Sequence, residues 1–171
     1  MKFTSTLIKG KLIKRYKRFF VDIKVNNQNV TAHCPNTGSM HGLLDQGNKV
    51  WISKSSNPKR KLKYTLEIIE VKKTKVGINT HSTNKIVLDA LQNNLIKEFS
   101  DNINIKPETK FGANTRFDFL VSSKKYQSFI EVKNVTLSRK RNLAEFPDAE
   151  TLRGLKHIGE LIKASKKKFK V

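Results

Sequence analysis

The stretch from Thr115 to Leu137 constrains this chain more than any other. It reads Thr-Arg-Phe-Asp-Phe-Leu-Val, a polar break at Ser122-Ser123-Lys124-Lys125, and then Phe-Ile-Glu-Val-Lys-Asn-Val from Phe129. Two β-branched and aromatic runs around a short polar break predict a hairpin of buried strands. Asp118, Glu131 and Lys133 interrupt that apolar pattern. Charged side chains are rarely buried unless paired or metal-bound, so the three need a chemical reason. The two-residue period of a strand puts Glu131 and Lys133 on one face and Val132 on the other. A hairpin turning at Ser122–Lys125 brings Asp118 opposite them.

Two carboxylates about 5 Å apart repel by roughly 3 kcal/mol at an effective dielectric near 20. A neighbouring lysine offsets part of this, and a divalent cation offsets more. Hard oxygen donors on a sheet suit Mg²⁺ or Mn²⁺, which keep several waters. An ammonium beside the metal orients a water or steadies a phosphate, as phosphodiester hydrolysis requires. An ordinary salt-bridged hairpin is the competing reading, because Glu-x-Lys is a common string.

Charge narrows the partner. The chain carries 35 basic and 14 acidic residues, a net +21. Such an excess points to a polyanion, since lysine and arginine release counterions from phosphates. Abundant lysine also follows from an AT-rich genome, but that bias does not explain so few acids. Cys34 is the single cysteine, so a disulfide framework and a thiol-rich zinc site are both excluded. The N-terminus is broken by Lys9 and Lys11 and does not read as a signal peptide. No run is long enough for a membrane span. A soluble, cytoplasmic protein is expected.

In the first half, Phe19, Val21, Ile23 and Val25 alternate with Phe20, Asp22, Lys24 and Asn26, a half-buried strand. Asn26–Asn29 is a turn, and Val30, Ala32 and Cys34 resume the alternation. Further runs at Lys11–Tyr16, Val50–Ser53, Tyr64–Val71 and Val76–Asn79 give five or six strands, which a small barrel closes economically. Asn36, Thr37 and Ser39 lie in a Pro-Asn-Thr-Gly-Ser turn. Either its amides and side chains meet a phosphate, or it is a tight corner. Arg15, Lys17 and Arg18 surround Tyr16, and Lys59, Arg60 and Lys61 precede Tyr64. Cations mixed with aromatics suit a nucleic-acid groove, the guanidinium forking onto phosphate and the tyrosine stacking on a base.

A polar boundary at Asn79–Asn84 separates residues 1–81 from 82–171. Beyond it, Val87, Leu91, Leu95 and Phe99 recur every fourth position, predicting a helix capped by Thr83 or Asn84. A strand over Ile103–Lys110 and the central hairpin follow. Arg139, Lys140 and Arg141 form a basic loop. Asp148 is the expected N-cap of a second helix whose buried stripe is Leu152, Leu155, Ile158 or Gly159, and Ile162.

His33-Cys34-Pro35-Asn36-Thr37-Gly38-Ser39-Met40, Asn57-Pro58-Lys59-Arg60-Lys61, Arg116-Phe117-Asp118-Phe119, Glu131-Val132-Lys133-Asn134-Val135-Thr136-Leu137 and Phe146-Pro147-Asp148-Ala149 together resemble the sugar fermentation stimulation protein A (SfsA) family. Asp118 with Glu131-Val132-Lys133 also resembles the PD-(D/E)XK nuclease core. The resemblance implies an α+β chain of two domains. An N-terminal OB-like β-barrel over 1–81 binds nucleic acid, and a PD-(D/E)XK nuclease-like α/β domain over 82–171 lacks its last elements. It implies catalysis by Asp118, Glu131 and Lys133, with Asp89 completing a metal site where the family pattern has Glu, and Glu98 as the fallback. Arg116, Arg153 and Lys156 are implied as phosphate contacts.

Two functions lead, with a basic scaffold protein of ribonucleoprotein as a third. One is a DNA-binding protein with Mg²⁺- or Mn²⁺-dependent phosphodiesterase activity on DNA or RNA. The other is a catalytically silent, regulatory DNA-binding protein. The sheet edge left open at the C-terminus is expected either to mark a truncated gene or fragment or to pair in a dimer.

Overall fold

The computed structural model describes residues 2–3, 5–99, 103–113, 115–140, 142–149 and 151–171. The chain forms two compact units, Met1–Ser82 with Asn134–Ala149, and Thr83–Lys133 with Glu150–Val171. The return of Asn134–Ala149 to the first unit has no counterpart in the sequence reading, which treats 82–171 as one piece.

The first unit is built on β1 (Ile8–Tyr16), β2 (Phe20–Val25), β3 (Gln28–His33), β4 (Lys49–Lys54), β5 (Tyr64–Val71) and β6 (Thr74–Gly77). They hydrogen-bond in the order β3-β2-β1-β4-β5-β6, and β3 also pairs with β5. That parallel pairing, Ala32 with Tyr64 and His33 with Thr65, closes β1–β5 into a barrel. Closure satisfies the edge amides that an open sheet leaves exposed. β1 serves two neighbours, β4 through Ile8–Lys11 and β2 through Lys11–Tyr16, with a register shift between Leu12 and Lys14. A bulge of this kind bends the strand enough to close the ring. Leu12, Val21, Ile23, Ala32, Val50, Ile52, Leu66 and Ile69 fill the interior. Each large aliphatic side chain so buried contributes roughly 1.5–3 kcal/mol. Phe19, expected on this inward face, lies in the β1–β2 loop and is 47% exposed.

The second unit contains α1 (Thr83–Gln92), β7 (Asn104–Phe111), β8 (Thr115–Ser122), β9 (Gln127–Ile130) and α2 (Leu152–Lys166). β7, β8 and β9 form an antiparallel sheet. Leu91 of α1 packs with Phe119 and Val121, and Ala164 of α2 packs with Phe111, Phe117 and Phe129. Sequence and structure differ at four places here. α1 stops at Gln92 because Asn94 takes φ +53°, so Leu95 is 70% exposed instead of buried. α2 is capped by Thr151, whose side chain accepts from the Gly154 amide, and not by Asp148. Leu152, Leu155, Ile158 and Ile162 are all exposed, while Ala164 and Leu161 pack inward. Lastly, β9 ends at Ile130, so Glu131–Lys133 lie beyond the ladder. The outer edge of β9 is met by the end of the chain, where Lys170 exchanges backbone hydrogen bonds of 2.9 Å with Gln127 and Phe129.

Candidate functional site

The last pair of the β8–β9 ladder joins Phe119 to Ile130. Asp118 and Glu131 are the next residues outward on their two strands, which brings acid opposite acid. Asp118 is held at both oxygens. Its Oδ1 accepts from Asn84 Nδ2 and its Oδ2 from the Val132 amide, each at 2.7 Å. The Lys133 ammonium donates to Glu131 Oε1, the oxygen that His157 Nδ1 also meets. Lys133 Nζ and His157 Nδ1 are 3.3 Å apart. The Glu131 side chain is only 6% exposed, whereas that of Lys133 is 33% exposed, so the carboxylate and not the ammonium is withdrawn from water. His157 is absent from the sequence reading. It falls off the apolar stripe of α2, and only the true inward face of the helix, with Leu161 and Ala164, reveals it.

An ionised carboxylate has about four acceptor positions, so both acids keep capacity for a cation. Among the described residues, no three His, Cys, Asp or Glu side chains gather to hold a metal ion. Asp89 therefore does not join Asp118 and Glu131 as a third donor. Two hard carboxylates with waters still match Mg²⁺ or Mn²⁺. Arg116 lies on β8 with its guanidinium 3.7 Å from Glu108. Arg153 and Lys156 are exposed on α2.

The first unit gathers a second set. Phe20 pairs with His33, His33 with Thr65, and Thr65 with Ser53. The β1–β2 loop, the segment after β3 and the β4–β5 loop consequently leave the same end of the barrel. Lys17 and Arg18 form the first tip, exposed and at φ +46° and +60°. Arg15 braces that end, donating to Asn36 O at 2.9 Å and to Arg18 O at 3.1 Å. In the β4–β5 loop Lys59 and Lys61 are exposed, while Arg60 turns back to Thr65 Oγ1 at 2.9 Å. Tyr64 packs against the barrel core and is half-buried. Exposed aromatic surface comes instead from Phe19 and Tyr16, the latter stacked on Phe20 at 5.5 Å. Burial, then the charges of Arg60 and His81, hold His33 below the ordinary histidine value.

The Asn36–Ser39 turn is occupied from within its own unit. Asn36 Oδ1 accepts from the Gly38 amide at 2.8 Å. Asp148 Oδ2 accepts from the Met40 amide at 3.2 Å, and Ser39 Oγ donates to Asp148 O at 3.1 Å. Thr37 stays exposed. A carboxylate thus sits where the sequence reading puts a phosphate. Arg139 is likewise engaged, its Nη2 2.7 Å from Glu145 Oε1. Arg141 lies outside the described residues. Among those described, no helix is long and apolar enough to cross a membrane.

Comparison with known proteins agrees with this architecture. Residues 13–78 match the SfsA N-terminal OB domain, and residues 81–171 match the sugar fermentation stimulation protein RE domain. A sugar fermentation stimulation protein homolog of Pelagibacter ubique is 63% identical over 170 residues, spanning 99% of this chain and 73% of that one. One from Alteromonas mediterranea is 47% identical, spanning 99% and 74%. The solved structure of Pyrococcus furiosus SfsA in complex with Ca²⁺ superposes with a TM-score of 0.85 at 25% identity. It covers 99% of this chain and 71% of that one.

Proposed function

The chain belongs to the SfsA family, and from that premise we propose that it binds nucleic acid at the loop end of its barrel and cleaves phosphodiesters at Asp118, Glu131 and Lys133. The observation that carries the binding reading is the shared exit of the β1–β2 and β4–β5 loops. Those are the loops with which OB-folds hold oligonucleotides. Lys17, Arg18, Lys59 and Lys61 are the phosphate contacts, and Phe19 is the stacking face. Arg15 and Arg60 hold the loops in place.

For cleavage, Asp118 and Glu131 are the cation ligands, a reading supported by the relative solved with Ca²⁺. A bound Mg²⁺ or Mn²⁺ supplies a polarised phosphoryl oxygen and an acidified water. Asn84 and the Val132 amide fix the Asp118 carboxylate. Lys133 holds a positive charge beside Glu131, where it favours the charge that develops on phosphorus oxygens. The silent-binder reading is favoured by one observation: Glu131 Oε1 already has Lys133 and His157 as partners.

Incubating the full chain with single- and double-stranded DNA and with RNA, in Mg²⁺, Mn²⁺ or EDTA, decides between them. Metal-dependent cutting lost in Asp118→Asn supports the hydrolase. Cutting that survives EDTA refutes it, and binding without cutting leaves the silent module.

A further inference from the structure

We infer that the second unit carries its own phosphate-binding groove, between α2 and the β7–β8 turn, which takes two or more successive phosphates of a single strand. The inference rests on the nucleic-acid reading above and extends it to residues outside the barrel. A groove of about 600 Å³ lies there, lined by Lys156, Lys163, Lys166 and Lys167 on one wall and by Gly112 and Thr115 on the other. Glu160 is its single acid, so four ammonium groups face one carboxylate.

Three points separate this groove from an ordinary solvated helix face. Basic residues in a last helical turn complement the helix dipole, which accounts for Lys163 and Lys166. The same dipole favours Lys167 at the C-cap, but it does not account for Lys156, two turns before Lys163. Next, the lysines are organised. Lys163 Nζ is 2.8 Å from Glu160 Oε1, and this ammonium holds the carboxylate below its ordinary range. Lys167 Nζ lies 5.5 Å from the centre of the Phe111 ring. A phosphate entering between Lys163 and Lys167 exchanges one carboxylate partner for an anion with more acceptor oxygens. Finally, His157, which meets Glu131, is the chain neighbour of Lys156 on α2. The groove and the acid cluster therefore draw on the same helix, α2.

The same chemistry describes free inorganic polyphosphate, so the test separates the two.

The experiment titrates a fluorescent twelve-nucleotide oligothymidylate into the full chain across 50–200 mM salt. It compares wild type with Lys163→Gln/Lys166→Gln/Lys167→Gln. The expected result is a loss of tens of fold in affinity at 150 mM salt. The log–log salt slope should also flatten by about two, near 0.7 for each lost single-strand contact. Lysine acetylation of the wild type, read by mass spectrometry, should show Lys163 and Lys167 protected by the oligonucleotide. This second readout holds even if the triple variant misfolds. Equal affinity and slope in the variant, or unprotected lysines, overturn the groove while leaving barrel binding standing. No binding by the wild type refutes the nucleic-acid reading itself. Tripolyphosphate that protects these lysines where the oligonucleotide does not overturns the assignment to a nucleic-acid strand.

Discussion

Gly38 leaves room for Asp148: a Cβ built on the glycine would lie 2.5 Å from Asp148 Oδ2 and 2.8 Å from Oδ1. Those oxygens belong to the segment Asn134–Ala149, which returns to the barrel after the sequence has visited the second unit. The Met40 amide and the Ser39 hydroxyl hold the carboxylate in place. Two motifs more than a hundred residues apart are therefore two halves of one latch.

Gly38→Ala should consequently cost about 1–3 kcal/mol, the range for displacing a carboxylate from its hydrogen bonds. Asp148→Ala should cost a similar amount. The double variant should be little worse than either single one, because both break the same contact. Urea unfolding of the four proteins measures this. Additive losses would show that the clash with Asp148 is not what the glycine avoids.

Asp118 has a structural duty that separates stability from chemistry. Both donors aimed at it, Asn84 Nδ2 and the Val132 amide, need acceptors. Asp118→Asn turns one acceptor into a second donor, so one buried pairing is lost whichever way the amide faces. A loss of about 1–3 kcal/mol is expected, without added metal. Asn84→Asp/Asp118→Asn, which restores a donor facing an acceptor, should recover part of it. A melt unchanged in Asp118→Asn would contradict the geometry around this carboxylate.

Helix α2 offers a sharp contrast between composition and position. Leu155→Ser and Ile162→Ser should shift unfolding by less than about 0.5 kcal/mol, since both side chains are already exposed. Ala164→Leu, against Phe111, Phe117 and Phe129, should cost about 1–3 kcal/mol by overpacking. If the serine variants prove the more damaging, the inward face of α2 is misassigned.

These cases show what the sequence carried. Alternation in β2 and β3 announces those strands, because burial on one face imposes a two-residue period, and the apolar runs of β5, β8 and β9 announce theirs. The barrel follows from their number, and its OB character from motif resemblance. α2 misleads because its most apolar stripe is not its buried one. The sheet packs Ala164 and Leu161 against a cluster of phenylalanines, so the buried face of the helix is the less apolar one. Asp148 misleads for a related reason: a good N-cap residue just before a helix is also a good acceptor for distant amides. His157 was invisible because nothing in one sequence tells which helical face meets Glu131. The Lys17–Arg18 and Lys59–Lys61 clusters were legible as charge. That they leave the barrel at one end required the β3–β5 pairing.

His33 supplies a pH signature. Burial first, then Arg60 and His81, keep its folded value below the unfolded one. The unfolded chain then binds a proton that the folded chain refuses, so stability falls as pH drops below about 6.5 and levels off beneath the folded value. His33→Gln should flatten that slope in melts between pH 7.5 and 5. An oligonucleotide beside Arg60 should weaken the repulsion and raise the folded value, an upward shift readable in the His33 ring signals by NMR. A titration unmoved by saturating oligonucleotide would place the phosphates away from the β4–β5 loop.

The barrel end makes the last prediction. Lys59 and Lys61 are exposed, whereas Arg60 is spent on Thr65. Neutralising Lys59 and Lys61 to glutamine should therefore leave the melt unchanged within about 0.5 kcal/mol. It should flatten the salt dependence of single-strand binding by roughly 1.4, or 0.7 per contact. Arg60→Gln should do the reverse, loosening the loop and lowering stability by about 1 kcal/mol for the lost Thr65 bond, with a smaller change of slope. Fluorescence titrations at four salt concentrations, paired with urea melts, separate the two behaviours. If Arg60→Gln flattens the slope as much as the lysine pair does and leaves the melt untouched, the guanidinium faces phosphate and not Thr65, and the division of labour in this loop is the opposite of the one drawn here.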